Sequence, residues 1–81
     1  MYLAIKNVTP LPDYRLLLKF ENDESRVFDV QPYLNIGKFS ELKSVSLFNS
    51  VKVSFDSIEW ANHLDFAPEF LYEKSIADSR I

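Results

Sequence analysis

The sequence predicts a two-layer α+β domain: one antiparallel sheet in the order β-β-β-α-β-β-α, with its helices on one face. Three observations carry this. The chain has 81 residues of which 47% are hydrophobic, enough for one small domain, residues 1–81, with its own core and too much for disorder. Apolar side chains alternate at period two over Tyr14–Phe20 and again over Val51–Phe55, the signature of half-buried strands. Neighbouring strands are joined by tight turns, which requires antiparallel pairing.

Leu3 to Val8 is apolar and β-compatible, and Thr9-Pro10-Leu11-Pro12-Asp13 interrupts it as a turn or bulged connection. In the second strand Tyr14, Leu16, Leu18 and Phe20 share a face, Arg15 and Lys19 point the other way, and Leu17 breaks that polar face. Glu21-Asn22-Asp23-Glu24 is a turn in which Asn22 or Asp23 takes a positive φ. Ser25 to Val30 returns as the third strand. Gln31 to Gly37 forms a short helical fragment with Pro32 at its first position, and Gly37, the only glycine, adopts a positive φ. Phe39 to Lys43 forms a short helix, and Leu47 and Phe48 tuck under the sheet. A second hairpin runs through Val51, Val53 and Phe55, turns at Asp56-Ser57 and continues through Ile58 and Trp60. Asp65 caps a final helix that has Pro68 in its first turn. The expected core is Leu16, Leu18, Phe20, Phe28, Val53, Phe55 and Ile58.

Composition removes several chemistries. With no Cys there is no disulfide, no thiolate metal site and no cysteine nucleophile. The N-terminus lacks the charged and long apolar regions of a signal peptide. No apolar run nears the roughly 20 residues of a membrane helix, so a cytoplasmic location is expected and no membrane partner. A domain this thin leaves little room for a deep pocket of about 300–1,000 Å³. The formal charge is −3, from 9 basic and 12 acidic residues. The basic residues are scattered singly, which argues against direct nucleic-acid binding. Between Lys52 and Lys74 there is no Lys or Arg, while Asp56, Glu59, Asp65, Glu69 and Glu73 all fall there.

Several stretches together carry a resemblance: Tyr14 to Phe20 with Phe28-Asp29-Val30, Phe39 to Leu42, Leu47-Phe48, and above all Ile58-Glu59-Trp60-Ala61-Asn62-His63-Leu64-Asp65-Phe66-Ala67-Pro68-Glu69-Phe70-Leu71-Tyr72. From Val8 to Tyr72 the chain resembles the bacterial family catalogued as domain of unknown function 2442, with its tryptophan-led W-x-N-G-x-D-x-x-P-E-x-L-Y segment. His63 stands where that family usually has Gly; if that Gly takes a positive φ, His63 must tolerate it, which His does better than a β-branched residue. The resemblance also implies function. Some similar proteins carry a helix-turn-helix domain after this module, and many stand-alone ones look like partners encoded beside another small protein, in an antitoxin-like arrangement. With Ile81 last in the sequence, no appended DNA-reading domain is expected.

Each candidate site has a plainer rival. His63, the only His, with Glu59, Asp65 and Glu69 nearby, has the chemistry of a general base or a metal ligand. Zinc sites use several His or Cys, so a surface loop histidine is the favoured reading and no metal or cofactor is expected. Asp65 and Glu69 as paired catalytic acids lose to helix capping. Glu21, Asp23 and Glu24 lack the glycine and terminal Glu of a calcium loop and read as a hairpin turn. Trp60 and Tyr72 are aromatic anchors for a partner or, for Trp60 in so small a chain, core. No nucleophile elbow or phosphate-binding glycine loop is present.

The favoured function is a non-enzymatic interaction module, antitoxin-like or regulatory. It binds a partner protein, such as a small basic protein encoded nearby, through Glu59, Trp60, His63, Asp65, Glu69, Tyr72 and Glu73. The alternative is a small-ligand sensor with its site at a dimer interface, and the least favoured reading is an enzyme using the carboxylates and His63. A homodimer is expected because Leu17 leaves apolar surface on an otherwise polar sheet face.

Overall fold

A computed structural model describes residues 3–78; Met1, Tyr2, Ser79, Arg80 and Ile81, and with them the start of the segment read for a signal peptide and one basic residue, lie outside the described residues. The fold is α+β, with seven antiparallel strands in two sheets among the described residues. The first sheet has the order β1-β2-β3-β7, from β1 (Ile5–Leu11), β2 (Arg15–Phe20), β3 (Ser25–Asp29) and β7 (Ile76–Ala77). The second has the order β4-β5-β6, from β4 (Lys52–Ser54), β5 (Ser57–Glu59) and β6 (Asp65–Phe66). The five strands expected in one sheet are therefore divided between two, and β6 and β7, too short to show a period, complete them.

β1 runs on to Leu11, through Pro10, where the sequence places an interruption. It is an edge strand of its sheet, so Pro10 costs no ladder bond on the open side. The turn into β2 is Pro12-Asp13-Tyr14, with φ of 64° at Asp13 and 60° at Tyr14. Asp23 supplies the positive φ (69°) of the β2–β3 turn. After β3 come two 3₁₀ segments, Gln31–Tyr33 and Gly37–Lys43; the second replaces the helix expected over Phe39–Lys43. Gly37 has the positive φ (51°). Helix α1 (Val45–Phe48) is capped by Ser44, whose Oγ accepts from the Leu47 amide at 3.4 Å.

Helix α2 (Pro68–Lys74) has Ala67 at its N-cap and no side-chain cap, which corrects the capping role expected for Asp65. Pro68 needs no partner for a missing N–H, and Asp65 is engaged in β6 opposite Glu59.

One apolar cluster fills the interior. Leu16, Leu18 and Phe20 of β2 are 0% exposed, and Phe28, Ile58 and Trp60 1%. Helix α2 packs on the inner face of the first sheet through Phe20–Tyr72 and Phe28–Phe70 ring contacts. Phe66 of β6 joins the two sheets, with its ring 5.2 Å from Phe28 and 5.5 Å from Phe70. Two residues expected in the core are outside it: Val53 is 38% exposed and Phe55 99%. Val53 lies within β4, an outer strand of the three-stranded sheet, and β4 ends at Ser54 because the hairpin reverses at Phe55-Asp56 and not at Asp56-Ser57. The reversal takes Phe55 out of the alternating pattern that would have buried it.

Candidate interaction surface

The β4–β5 hairpin closes with Ser54 opposite Ser57, leaving Phe55 and Asp56 as the two turn residues, both with positive φ (48° and 68°). A two-residue turn with both φ positive matches the twist of the strands it joins. Asp56 accepts such a backbone readily; Phe, bulky and without a polar group to bond locally, does not. The tip is anchored to the first sheet by the Ile5 amide, which donates to the Asp56 carbonyl at 3.0 Å.

β5 and β6 are joined through Trp60–Leu64. The His63 amide donates to the Trp60 carbonyl and the Trp60 amide to the Leu64 carbonyl, both at 2.9 Å. His63 has φ 69°, so the connection is a turn followed by a left-handed residue that opens a bulge. His63, the departure noted in the sequence, thus tolerates the left-handed conformation. The Asn62 side chain steadies the loop, its Oδ1 accepting from the Leu64 amide at 3.3 Å and its Nδ2 donating to Glu41 at 2.8 Å.

Cross-strand register then sets Glu59 directly opposite Asp65, so two carboxylates share one face of the small sheet, a pairing that costs free energy unless relieved. Relief comes from His63, whose Nδ1 lies 3.2 Å from Glu59 Oε2, and from Lys52, opposite Glu59 on β4. Hydrogen bonds from His63 and then Ser54 hold the Glu59 carboxyl below its ordinary range, so it stands as an anion. Beside it opens a cleft of about 470 Å³, lined among others by Phe55, Ile58, Glu59, Asp65, Phe66 and Pro68. A single copy thus does form a cleft of ligand-sized volume, by lying between the hairpin tip and the start of α2 and not inside the core.

The seven residues expected to meet a partner separate into three groups. Glu59, His63 and Asp65 come together on the β5–β6 face. Glu69 and Glu73 follow on α2 one helical turn apart, both exposed. Trp60 and Tyr72 belong elsewhere. Trp60 is 1% exposed and its Nε1 donates to the Phe48 carbonyl at 3.0 Å, so it holds α1 and the β5–β6 loop from beneath. Tyr72 turns toward β3, donating its hydroxyl to Glu24 Oε1 at 2.6 Å with the Arg26 guanidinium 4.4 Å from its ring centre.

The acidic segment is also less bare in space than along the chain. Besides Lys52, Lys38 reaches it, donating to the Asn62 carbonyl at 3.3 Å. The exposure of Phe55 has a signal in the sequence: an Asp56-Ser57 turn supplies one residue suited to positive φ where such a hairpin needs two. Among the described residues no three His, Asp or Glu side chains are grouped to hold a metal ion, and no helix is long and apolar enough to cross a membrane.

No curated protein and no solved structure matches the chain. The model of one family, described as protein of unknown function (DUF2442), matches residues 5–77, and the chain belongs to that family.

Proposed function

We propose that the chain is a non-enzymatic, cytoplasmic interaction module of the antitoxin-like or regulatory kind. Its partner is a small basic protein encoded nearby and not a nucleic acid. The partner docks on the face formed by the β4–β5 tip, the cleft beside it and the carboxylates of Glu59 and Asp65. One observation carries this reading: Phe55 is 99% exposed while holding a backbone conformation, φ 48°, that a bulky side chain adopts only at a cost.

The comparison with Tyr14 gives that observation its weight. Tyr14 has φ 60°, but its hydroxyl donates to the Lys43 carbonyl at 2.5 Å and its ring packs edge-on against Phe48 at 5.3 Å. Phe55 is strained without any such burial, and a contact made outside the chain supplies the compensation. The acids next to it favour a cationic partner and steer its approach, and they would repel phosphates.

The test is a binding titration against the small basic product of the adjacent reading frame. Phe55→Ser is expected to weaken binding by at least about tenfold without loss of fold, and Glu59→Gln with Asp65→Asn to reduce its salt dependence. Unchanged affinity in Phe55→Ser, or tight binding of the wild-type chain to duplex DNA at physiological salt, overturns the reading.

A further inference from the structure

The four-stranded sheet has one face on the core, and its register fixes what the other face carries. Leu17, Val27 and Ile76 are successive partners across β2, β3 and β7, so they form an apolar row running across the strands. Arg15 opposite Asp29 lies on one side of that row and Lys19 opposite Ser25 on the other. None of these seven side chains is buried, and Ile76 is 69% exposed. An apolar centre with charges at its rim is the anatomy of an interface. It shares no residue with the cleft beside Phe55 and does not rest on the function proposed above.

We infer that this face pairs with the same face of a second copy, about a twofold axis parallel to the strands and running between β2 and β3. The charges select that axis. It lays Leu17 over the second copy's Val27 and, at the rim, Arg15 over the second copy's Asp29, each contact occurring twice as an isologous interface requires. An axis perpendicular to the strands would instead set Arg15 against the second copy's Lys19, which is repulsive. The local bonds of the two rim residues are compatible with the pairing. Arg15 Nε donates to the Pro12 carbonyl at 3.3 Å, and Asp29 Oδ1 accepts from the Gln31 amide at 3.0 Å, so each is held at the rim by one atom of a head that offers several. The patch is small: four strands at a spacing of about 4.8 Å span about 19 Å. That puts it at the low end of specific interfaces, so the dimer is a weak one.

Sedimentation from about 10 µM to about 1 mM covers that regime and is the experiment. The wild-type chain is expected to dimerise over this range, and Leu17→Lys or Ile76→Lys to raise the dissociation constant at least about tenfold. Ile76 is exposed enough for its variant to fold even where Leu17→Lys does not. Arg15→Asp and Asp29→Arg each place like charges across the axis and are expected to be monomeric alone. Mixed in equal amounts they become complementary and are expected to form a heterodimer, a rescue that intrachain effects cannot produce. A wild-type chain that stays monomeric at the top of the range overturns the inference. So does a dimer indifferent to the lysine substitutions, or a charge-variant mixture that does not associate.

Discussion

Replacing the only histidine by glycine is expected to make the protein more stable. His63 occupies the left-handed position of the β5–β6 connection, at φ 69°. There a Cβ crowds the following carbonyl at a cost of about 1–2 kcal/mol. Glycine releases that cost and returns about 0.5–1 kcal/mol of it as extra conformational entropy of the unfolded chain. The imidazole contact with Glu59 is lost, but the His63 side chain is 87% exposed and such a contact is largely screened. The balance favours His63→Gly by about 0.5–1 kcal/mol, a rise in melting temperature of about 2–8 °C for a domain of this size. His63→Ala is the control: it loses the same imidazole but keeps the Cβ, and is expected to be no more stable than wild type. Urea denaturation and thermal melts at pH 7.5 read both variants. If His63→Gly falls at or below wild type and matches His63→Ala, the conformational argument is wrong and the side-chain contact matters more than its exposure implies.

Leu18 is 0% exposed, so Leu18→Ala is expected to cost about 2–5 kcal/mol against a total of about 5 kcal/mol for a small domain, read as a collapse of the urea midpoint. Trp60→Phe removes the bond to the buried Phe48 carbonyl and is expected to cost about 1–3 kcal/mol by the same measurement. Glu24 accepts from the Tyr72 hydroxyl and from Asn22, which hold its carboxyl below the ordinary value of 4.5. A folded-state value below the unfolded one stabilises fully above the unfolded value and is lost as pH falls through the folded one. The wild-type urea midpoint is therefore expected to fall more steeply than that of Tyr72→Phe between about pH 5 and about pH 3, and parallel profiles would count against the Tyr72–Glu24 bond.

What was legible in the sequence, and what was not, follows from how much each segment says about itself. β2 and β3 were readable because six and five residues are long enough for a period of two to show, and their burial follows it: Leu16, Leu18, Phe20 and Phe28 all lie in the core. β6 and β7 have two residues each, exist only through their partners, and carry no local signal. The division into two sheets was hidden for the same reason, since it rests on β7 pairing with β3 and β6 with β5. The acidic segment was readable as composition only. Register, which local sequence does not show, decided that Glu59 and Asp65 would meet and that Lys52 would join them, and the packing of α2 on the first sheet turned Tyr72 toward β3.

With one glycine in the sequence, other residue types fill most of the left-handed backbone positions. Backbone turns in this fold call for positive φ at seven described positions, of which Gly37 fills one and non-glycine residues six. Asp13, Asp23 and Asp56 fill three with a short polar side chain that tolerates the conformation, and His63 a fourth. That leaves Tyr14 and Phe55, aromatic residues at positions where small or polar ones are the rule. Tyr14 is bonded and packed within the chain, and a folding requirement accounts for it. For Phe55 no such account exists, since a serine or asparagine there would close the same turn at less strain and with less apolar surface in water. The contact with a partner proposed for Phe55 is what would offset this double cost in conformation and solvation. Phe55→Asn is accordingly expected to raise the stability of the free chain while weakening the partner contact proposed above, and a Phe55→Asn chain that is less stable than wild type would place the role of Phe55 in folding instead.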